Sequence, residues 1–321
     1  MREGDLDLLD ALVRNAGLPG RPTYRQLTGT GELNRHYVVE PDGAAPMVAR
    51  LYGWPFPVPE PFDRMTKEAW VLRALAGSSP VVPEVFATAT TDAGRGLLIS
   101  LLPGDVFGET ADALPDRTWL SVLDALRAVH DVTVPGLARA GDITGDGVTP
   151  YDGGWGAEQA RQFRLQADQL VTARADLRPG LDRATRLVTS AVPVLNERPV
   201  GVMHGDAHPW NMLVAPNGTT WRCTGILDWE FARAGDGLVD VVRLDIGRAR
   251  PLGPPPVDLY TAYGDRSARV AARIYHLAFH VWMANDSRHF DHRPSYDNAE
   301  RYLRELDSHL DRLAGTLDGA G

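Results

Sequence analysis

The chain has 321 residues, of which 44% are hydrophobic and 23% are charged. These proportions are typical of a folded protein, and the length is sufficient for two domains. The net charge of −9 opposes binding to nucleic acid and to anionic membranes, so neither is an expected partner.

The cysteine content and the N-terminus both bear on the compartment. Cys223 is the single cysteine, which excludes an intrachain disulfide and a thiolate metal cluster. The first residues carry acidic side chains where a signal peptide carries basic ones, and no apolar run approaches the roughly 18 residues of a membrane span. We therefore expect a cytoplasmic protein.

The N-terminal part of the sequence predicts a helix followed by an antiparallel sheet. Apolar residues recur at helical spacing over residues 5–14, and glycine and proline follow them. Strand signals separated by turn residues come next, and a second helix interrupts them. The predicted strands begin near Thr23 and continue at His36–Val39, Met47–Tyr52, 82–90 and 94–102, with the second helix at Asp63–Ala76.

After Pro103 the apolar residues recur mainly at helical spacing. We place a domain boundary there, which gives domains 1–103 and 104–321. Residues 103–116 are expected to form a connector, and short strands are expected around a polar motif after residue 200. Helices are predicted to end near His130 and to lie within 157–173, 180–196, 267–285 and 296–314.

The polar motif is VMHGDAHPWNMLV, residues 202–214, and the apolar run GILDWEF, residues 225–231, follows it. His204, Asp206 and His208 have a spacing that would place them on one side of an extended segment, as in a metal site. No histidine-rich partner segment follows and no second cysteine is present, and Asn211 is a weak zinc ligand, so a metallohydrolase is the less favoured hypothesis.

Asp206, Asn211 and Asp228 together favour phosphoryl transfer. An aspartate followed by an asparagine five positions later, and an aspartate at the end of the next strand, supply oxygen ligands for Mg²⁺ and one further carboxylate. Asn211 and Asp228 would hold the metal, and Asp206 would orient an acceptor hydroxyl and accept its proton.

The segments HGDAHPWN and ILDWE resemble the catalytic and metal-binding loops of the aminoglycoside phosphotransferase and choline kinase family, which is related to protein kinases. The resemblance implies a two-lobed α+β fold with a small antiparallel-sheet N-terminal lobe and a larger, mainly helical C-terminal lobe. It also implies ATP or GTP as co-substrate, bound by the lobe 1–103, and Mg²⁺ as cofactor. Asp236 and Asp240 resemble the family's downstream segment and are expected to brace the loop.

The resemblance also assigns nucleotide-binding residues. Gly29 and Gly31 are similar to the family's nucleotide loop, where backbone amides approach phosphate. Arg50 lies where many relatives carry a phosphate-contacting lysine, and Glu68 is expected to pair with it. The segment LLISLLPG resembles the lobe connector, where main-chain atoms around Ser100 to Leu102 would bind the adenine ring.

The remaining expectations concern support and acceptor binding. His204 and His208 are predicted to support the loop, and Trp210 and Trp229 to pack beside it. His276 and His280 share a helical face but lack an acid at metal-site spacing, so core and surface roles are favoured. Candidate acceptor-binding residues in the second lobe are Asp152, Trp155, Glu158, Trp282 and Asp286.

The predicted reaction is phosphorylation of a small hydroxylated molecule, and the acidic balance of the chain would suit a cationic one. The first hypothesis for the acceptor is an aminoglycoside or another antibiotic, from the resemblance and the acidic balance of the chain. A metabolite kinase acting on an amino alcohol, a sugar or homoserine is the second hypothesis, and a nucleotide-binding pseudokinase or sensor is the third. Either a monomer or a homodimer is compatible with the sequence.

Overall fold

The computed structural model of the protein describes residues 4–27, 34–52, 63–246, 257–264, 268–286 and 293–318. The described residues form an α+β structure with a sheet-rich N-terminal part and a mainly helical C-terminal part, as predicted. Within these ranges, no helix combines the length and the apolar character needed to span a bilayer.

The N-terminal part is a five-stranded antiparallel sheet with the strand order β1-β2-β3-β5-β4. Leu98 faces a core cluster formed with the first helix, whereas Leu97 and Ile99 face the opposite cluster, which includes the second helix. The alternation follows from the two-residue period of a strand. The elements are α1 (Asp5–Asn15), β1 (Thr23–Leu27), β2 (Asn34–Glu40), β3 (Met47–Tyr52), α2 (Arg64–Ala74), β4 (Val85–Thr91) and β5 (Gly94–Ser100).

The C-terminal part packs helices around two small sheets, which have the strand orders β11-β10-β6 and β8-β7-β12-β9. Its large apolar core is continuous with the α2 side of the N-terminal sheet. The elements are β6 (Asp105–Val106), α3 (Phe107–Thr110), α4 (Arg117–His130), β7 (Gly141–Ile143), β8 (Val148–Pro150), α5 (Gly154–Ala173), α6 (Arg178–Ser190), α7 (Val192–Asn196), β9 (Gly201–Met203), β10 (Met212–Asn217), β11 (Thr220–Ile226), β12 (Arg233–Gly235), α8 (Leu238–Ile246), α9 (Leu259–Tyr263), α10 (Arg269–Asp286), α11 (Arg293–Arg304) and α12 (Leu306–Asp318).

Four details differ from the predicted elements. The connector at 103–116 contains β6 and α3, because β6 pairs with β10 more than 100 residues away in sequence. The hairpin of β7 and β8 was not predicted from the sequence. The predicted helix 180–196 is two helices, since Pro193 cannot donate the hydrogen bond that would continue α6. The predicted helix 296–314 is also two helices, α11 and α12, which meet at Glu305.

Candidate functional site

The loop after β9 carries Asp206 and is fixed by Asp240 of α8. The amides of His204 and Gly205 donate to the two oxygens of Asp240 at 2.6 and 2.8 Å, and His130 Nε2 lies 2.9 Å from the same carboxylate. Gly205 has φ of 83°, and a Cβ there would lie 2.3 Å from the carbonyl oxygen of Phe231. Only glycine fits this turn, which immediately precedes Asp206.

His204 is fully engaged within the loop. Its Nε2 lies 2.7 Å from the carbonyl oxygen of Leu227, and its Nδ1 accepts a hydrogen bond from the amide of Asp206 at 3.2 Å. The ring also packs edge-on against the buried Trp229 at a centroid distance of 4.7 Å. Because neither ring nitrogen is available for coordination, His204 cannot complete the His-Asp-His metal site that its spacing suggested.

The carboxylate of Asp206 lies among cationic and polar groups. Arg243 of α8 donates from Nε and Nη2 to Oδ1, both at 2.7 Å, and His208 Nε2 lies 3.4 Å from Oδ2. Burial favours the neutral acid, but the charges of Arg243 and His208 outweigh it and hold the pKa of Asp206 well below its ordinary value. Asp206 is therefore an ionised side chain with one oxygen, Oδ1, bound by a guanidinium.

Asn211 connects the Asp206 loop to the strand that leads to Asp228. Its Nδ2 donates to the backbone oxygen of Asp206 at 3.0 Å and lies 3.4 Å from Oδ2 of that residue. Its backbone oxygen accepts from the amide of Leu227 at 2.8 Å, one residue before Asp228. Asn211 and the segment carrying Asp228 are thus held together by the backbone.

Asp228 follows β11 in an unusual backbone conformation. Its φ is 69°, and it is the one non-glycine residue with positive φ in the part of the chain that the structure describes. Such a conformation is unfavourable for a side-chain-bearing residue and is concentrated at functional sites. Its Oδ1 lies 2.6 Å from Nη2 of Arg50, which reaches it from β3 of the N-terminal sheet.

Arg50 and Glu68 form the ion pair that the sequence predicted, with Nη1 of Arg50 3.2 Å from Oε1 of Glu68. Glu68 also accepts from the amide of Trp229 at 3.2 Å and from the hydroxyl of Tyr52. Arg50 is buried, with only 3% of its surface exposed, and its Nε has no hydrogen-bond partner among the described residues. The pair joins α2 and β3 to the residue that follows Asp228.

Sequence reasoning assigned no role to Glu230 or Arg243. Glu230 is buried, with Nη2 of Arg50 3.2 Å and Nη1 of Arg64 3.3 Å from its Oε2. Burial, opposed by Arg50 and reinforced by Asp228 and Glu68, raises the pKa of Glu230 to about 7. Its position two residues after Asp228 in ILDWE was a visible signal, whereas nothing local marks Arg243, which reaches Asp206 only through the packing of α8.

The oxygens of the site fit the divalent cation that the sequence predicts. Asn211 Oδ1 and Asp228 Oδ2 make no hydrogen bond to any described residue, and both are hard ligands of the kind that Mg²⁺ prefers. The described ranges contain no group of three or more His, Cys, Asp or Glu side chains that could hold a metal. Mg²⁺ commonly takes only one or two protein ligands and completes its shell with phosphate and water, so the two free oxygens of Asn211 and Asp228 are the ones that would hold it.

Of the predicted nucleotide-binding residues, Gly29 and Gly31 lie outside the described residues, whereas Ser100 and Leu102 lie within them. The amide of Ser100 donates to the carbonyl oxygen of Glu84 at 2.9 Å, so this amide is occupied by the sheet. Leu102 lies beyond the end of β5 and its amide makes no backbone hydrogen bond to a described residue.

Of the candidate acceptor residues whose side chains are described, two are buried and two are exposed. Trp155 is 3% exposed, and its Nε1 donates to the hydroxyl of Tyr275 at 2.7 Å, so it is a core residue rather than a pocket residue. Glu158 is also buried and is neutralised by Arg161 at 2.7 Å. Asp152 is exposed, Trp282 is 37% exposed beside Phe279, and the side chain of Asp286 lies outside the described residues.

Comparison with known proteins identifies the family. A model of the phosphotransferase enzyme family matches residues 24–275. The fold is similar to that of aminoglycoside phosphotransferase APH(4)-Ia in complex with AMP-PNP and hygromycin B, with a TM-score of 0.64 at 20% identity, over 90% of this chain and 93% of that chain. It is also similar to that of APH(2")-IIa in complex with streptomycin and ATP, with a TM-score of 0.60 at 13% identity, over 95% and 99% of the two chains.

A third solved structure, a GDP complex of an aminoglycoside 2'-phosphotransferase IIIa, has a TM-score of 0.62 at 16% identity and covers 95% of this chain and 98% of that chain. No curated protein sequence matches the chain. These similarities confirm the predicted two-lobed, kinase-like fold. Since the family model spans most of the sequence and the fold agrees with it, the chain belongs to the phosphotransferase enzyme family.

Proposed function

We propose that the protein transfers the γ-phosphate of ATP or GTP to a hydroxyl of a small molecule. The observation that carries the proposal is the linkage of Asp206, Asn211 and Asp228. The side-chain amide of Asn211 donates to the backbone oxygen of Asp206 at 3.0 Å, and its backbone oxygen accepts from the amide of Leu227 at 2.8 Å. From the other lobe, Nη2 of Arg50 lies 2.6 Å from Oδ1 of Asp228. A positive side chain, oxygen ligands and a separate carboxylate are the parts that phosphoryl transfer requires.

In this proposal the N-terminal lobe, residues 1–103, binds the nucleotide and the lobe 104–321 binds the acceptor. Arg50 contacts the nucleotide phosphates, and Glu68 fixes its guanidinium. Leu102 supplies a main-chain contact to the base. The amide of Ser100 is already occupied, so Ser100 can contact the base only through its backbone oxygen. Gly29 and Gly31 belong to the loop that binds the phosphates. Asn211 and Asp228 would hold Mg²⁺, which would supply the positive charge that neutralises the transferred phosphate.

Asp206 orients the acceptor. The acceptor oxygen forms a bond to the γ-phosphorus while the bond from that phosphorus to the bridging oxygen of the nucleotide breaks, and the hydroxyl proton passes to Asp206. Arg243 binds Oδ1 of Asp206, so Oδ2 is the oxygen left for the hydroxyl. Because the pKa of Asp206 is low, its contribution is orientation of the acceptor more than strong basicity. His204 and His208 hold the loop.

For the acceptor, an aminoglycoside or another antibiotic remains the first candidate. The net charge of −9 and the aminoglycosides bound by similar structures support it. A metabolite kinase is the second candidate, because Arg161 already neutralises Glu158, which leaves one acid fewer for a cationic acceptor. A cytoplasmic protein without nucleic-acid or membrane partners, as a monomer or a homodimer, is part of the same proposal.

The test is nucleotide turnover by the native protein and by Asp206→Asn with a panel of aminoglycosides, amino alcohols and sugars. Native turnover that needs Mg²⁺ and that falls by about 100- to 10,000-fold in Asp206→Asn is expected. The exposed Asp182 of α6 provides the matched control, since Asp182→Asn makes the same change away from the loop. Undiminished turnover in Asp206→Asn contradicts the mechanism, and binding of nucleotide without turnover of any acceptor supports a pseudokinase or sensor instead.

A further inference from the structure

A cavity of about 230 Å³ lies between α10, α11 and α12, outside the loops that carry Asp206 and Asp228. We call it the arginine pocket. It is smaller than the roughly 300 to 1,000 Å³ of pockets for drug-sized ligands and suits a smaller molecule. Its walls are formed by Arg273, His276, Leu277, Tyr302, His309, Leu310, Arg312 and Leu313.

The lining of the arginine pocket is positively charged in a protein whose net charge is −9. Arg273 is half-buried, and its guanidinium makes no hydrogen bond or ion pair with any described residue. Arg312 donates to Ser308 Oγ at 2.7 Å and lies 2.6 Å from His309 Nδ1, and neither partner is an acid. No carboxylate among the described residues lines the cavity.

The two histidines of the arginine pocket are already engaged by other residues. His276 Nε2 contacts the hydroxyl of Tyr260 and lies 3.3 Å from Asp245, while Nδ1 of His309 faces Arg312. The other nearby carboxylate, Glu305, is exposed and lies 4.0 Å from the Nε2 of His309. The guanidinium groups, and above all that of Arg273, therefore remain as the donors that can bind a ligand.

The arginine pocket also has a rigid wall. The rings of His280, Tyr302 and His309 stack in parallel, with centroid distances of 3.9 and 3.8 Å. Both faces of Tyr302 are covered, so its ring contributes an edge to the cavity rather than a stacking surface. Leu277, Leu310 and Leu313 supply an apolar floor. Because the side chains of this wall are already ordered, ligand binding costs less conformational entropy.

We propose that the arginine pocket binds a small organic anion, with its carboxylate at Arg273 and Arg312 and its apolar part against the three leucines. Two guanidinium groups in one cavity repel each other, and an anion removes that repulsion and forms charge-assisted hydrogen bonds. The fork of an arginine matches a carboxylate. The site is independent of the proposed phosphotransfer, because it shares no residue with the Asp206 and Asp228 loops.

The test is calorimetric titration of the full chain with benzoate in a buffer of low chloride content. Saturable binding of one benzoate is expected, as is much weaker binding of benzyl alcohol, which has a similar ring but no charge. Loss of one charge-assisted hydrogen bond weakens binding by about tenfold or more, which we expect for both Arg273→Gln and Arg312→Gln. Arg304→Gln, an exposed arginine of α11 outside the cavity, is the matched control and should bind benzoate normally.

The thermal melting temperature of each variant shows whether it is folded, and Arg312, which is exposed, provides a second variant if Arg273→Gln does not fold. Equal binding of benzoate and benzyl alcohol would overturn the proposal, because charge would then play no part. Absence of saturable benzoate binding, or unchanged binding in both arginine variants, would overturn it as well.

Discussion

Two segments, the loop His204–Asn211 and the helix α10, each carry two histidines four residues apart but have different structural roles. In the loop, Asp240 binds two backbone amides at 2.6 and 2.8 Å, and both nitrogens of His204 are engaged. In α10, His276 and His280 belong to a column of rings beside the guanidinium of Arg273, which pairs with no described residue. The difference shows that distant partners, rather than histidine spacing, decide whether such a segment is a fixed loop or the wall of a cavity.

The largest expected effect tests whether Asp240 fixes the loop. Replacement Asp240→Ala leaves two buried amides and His130 without their acceptor, and each unmatched group costs about 1 to 3 kcal/mol. We expect the free energy of unfolding, measured by urea denaturation, to fall by about 3 kcal/mol or more. Asp182→Ala, on the exposed face of α6, should change it by about 0.5 kcal/mol or less. Equal stability of the two variants would mean that Asp240 does not fix the loop.

The second prediction concerns the folding stability that is lost at low pH because of His280 in α10. Burial, reinforced by the neighbouring His276 and His309 and opposed by the carbonyl of His276 and by Asp245, lowers the pKa of His280 to about 3. Because this pKa is depressed, the folded state favours the neutral ring of His280. The resulting contribution to folding stability is complete above pH 6.5, the ordinary pKa of histidine in the unfolded chain, and is lost as the pH falls from there towards 3. At pH 5 this loss amounts to about 2 kcal/mol.

Urea denaturation of the native protein and of His280→Phe at pH 7 and pH 5 measures this difference. The phenylalanine variant keeps a ring in the column but cannot bind a proton, so its stability should fall less between the two pH values. The same acid-dependent loss in both proteins would assign the pH dependence to other groups.

The smallest effect tests the contact of Arg243 with Asp206. Lysine retains the charge but not the two donors that meet Oδ1, so Arg243→Lys removes about one charge-assisted hydrogen bond. We expect kcat to fall by about tenfold with the KM for nucleotide and the stability nearly unchanged, measured by steady-state kinetics and denaturation. Arg304→Lys should retain native kcat. An unaltered kcat in Arg243→Lys would show that the guanidinium does not position Asp206.

Much of the fold was predictable because its signals are local. The strand Met47–Tyr52 and the helix ending at His130 were predicted with the boundaries that the structure shows, since strand and helix periods are expressed within a few residues. The hairpin β7–β8 and the short strand β6 were missed because their strands are too short for a period to be visible.

The candidate site likewise has one part that could be predicted from local sequence and another that could not. The spacing within HGDAHPWN and ILDWE led to the prediction of Asp206, Asn211 and Asp228 as site residues and to the prediction of the family. The match over residues 24–275 confirms the family. The acceptor residues were less accessible to sequence reasoning, because exposure depends on packing. Trp155 proved to be buried and Glu158 neutralised by Arg161, and neither fact has a local signature.

The sequence by itself therefore determined the class of fold, the family and the polar residues of the two loops, because these depend on the identity and spacing of neighbouring residues. Tertiary structure alone decided that Arg243 binds Asp206, that Glu230 lies between two arginines, and that Arg273 and Arg312 line one cavity. Charges interact through space, and the distances between them are set by how distant helices and strands pack rather than by their separation along the chain.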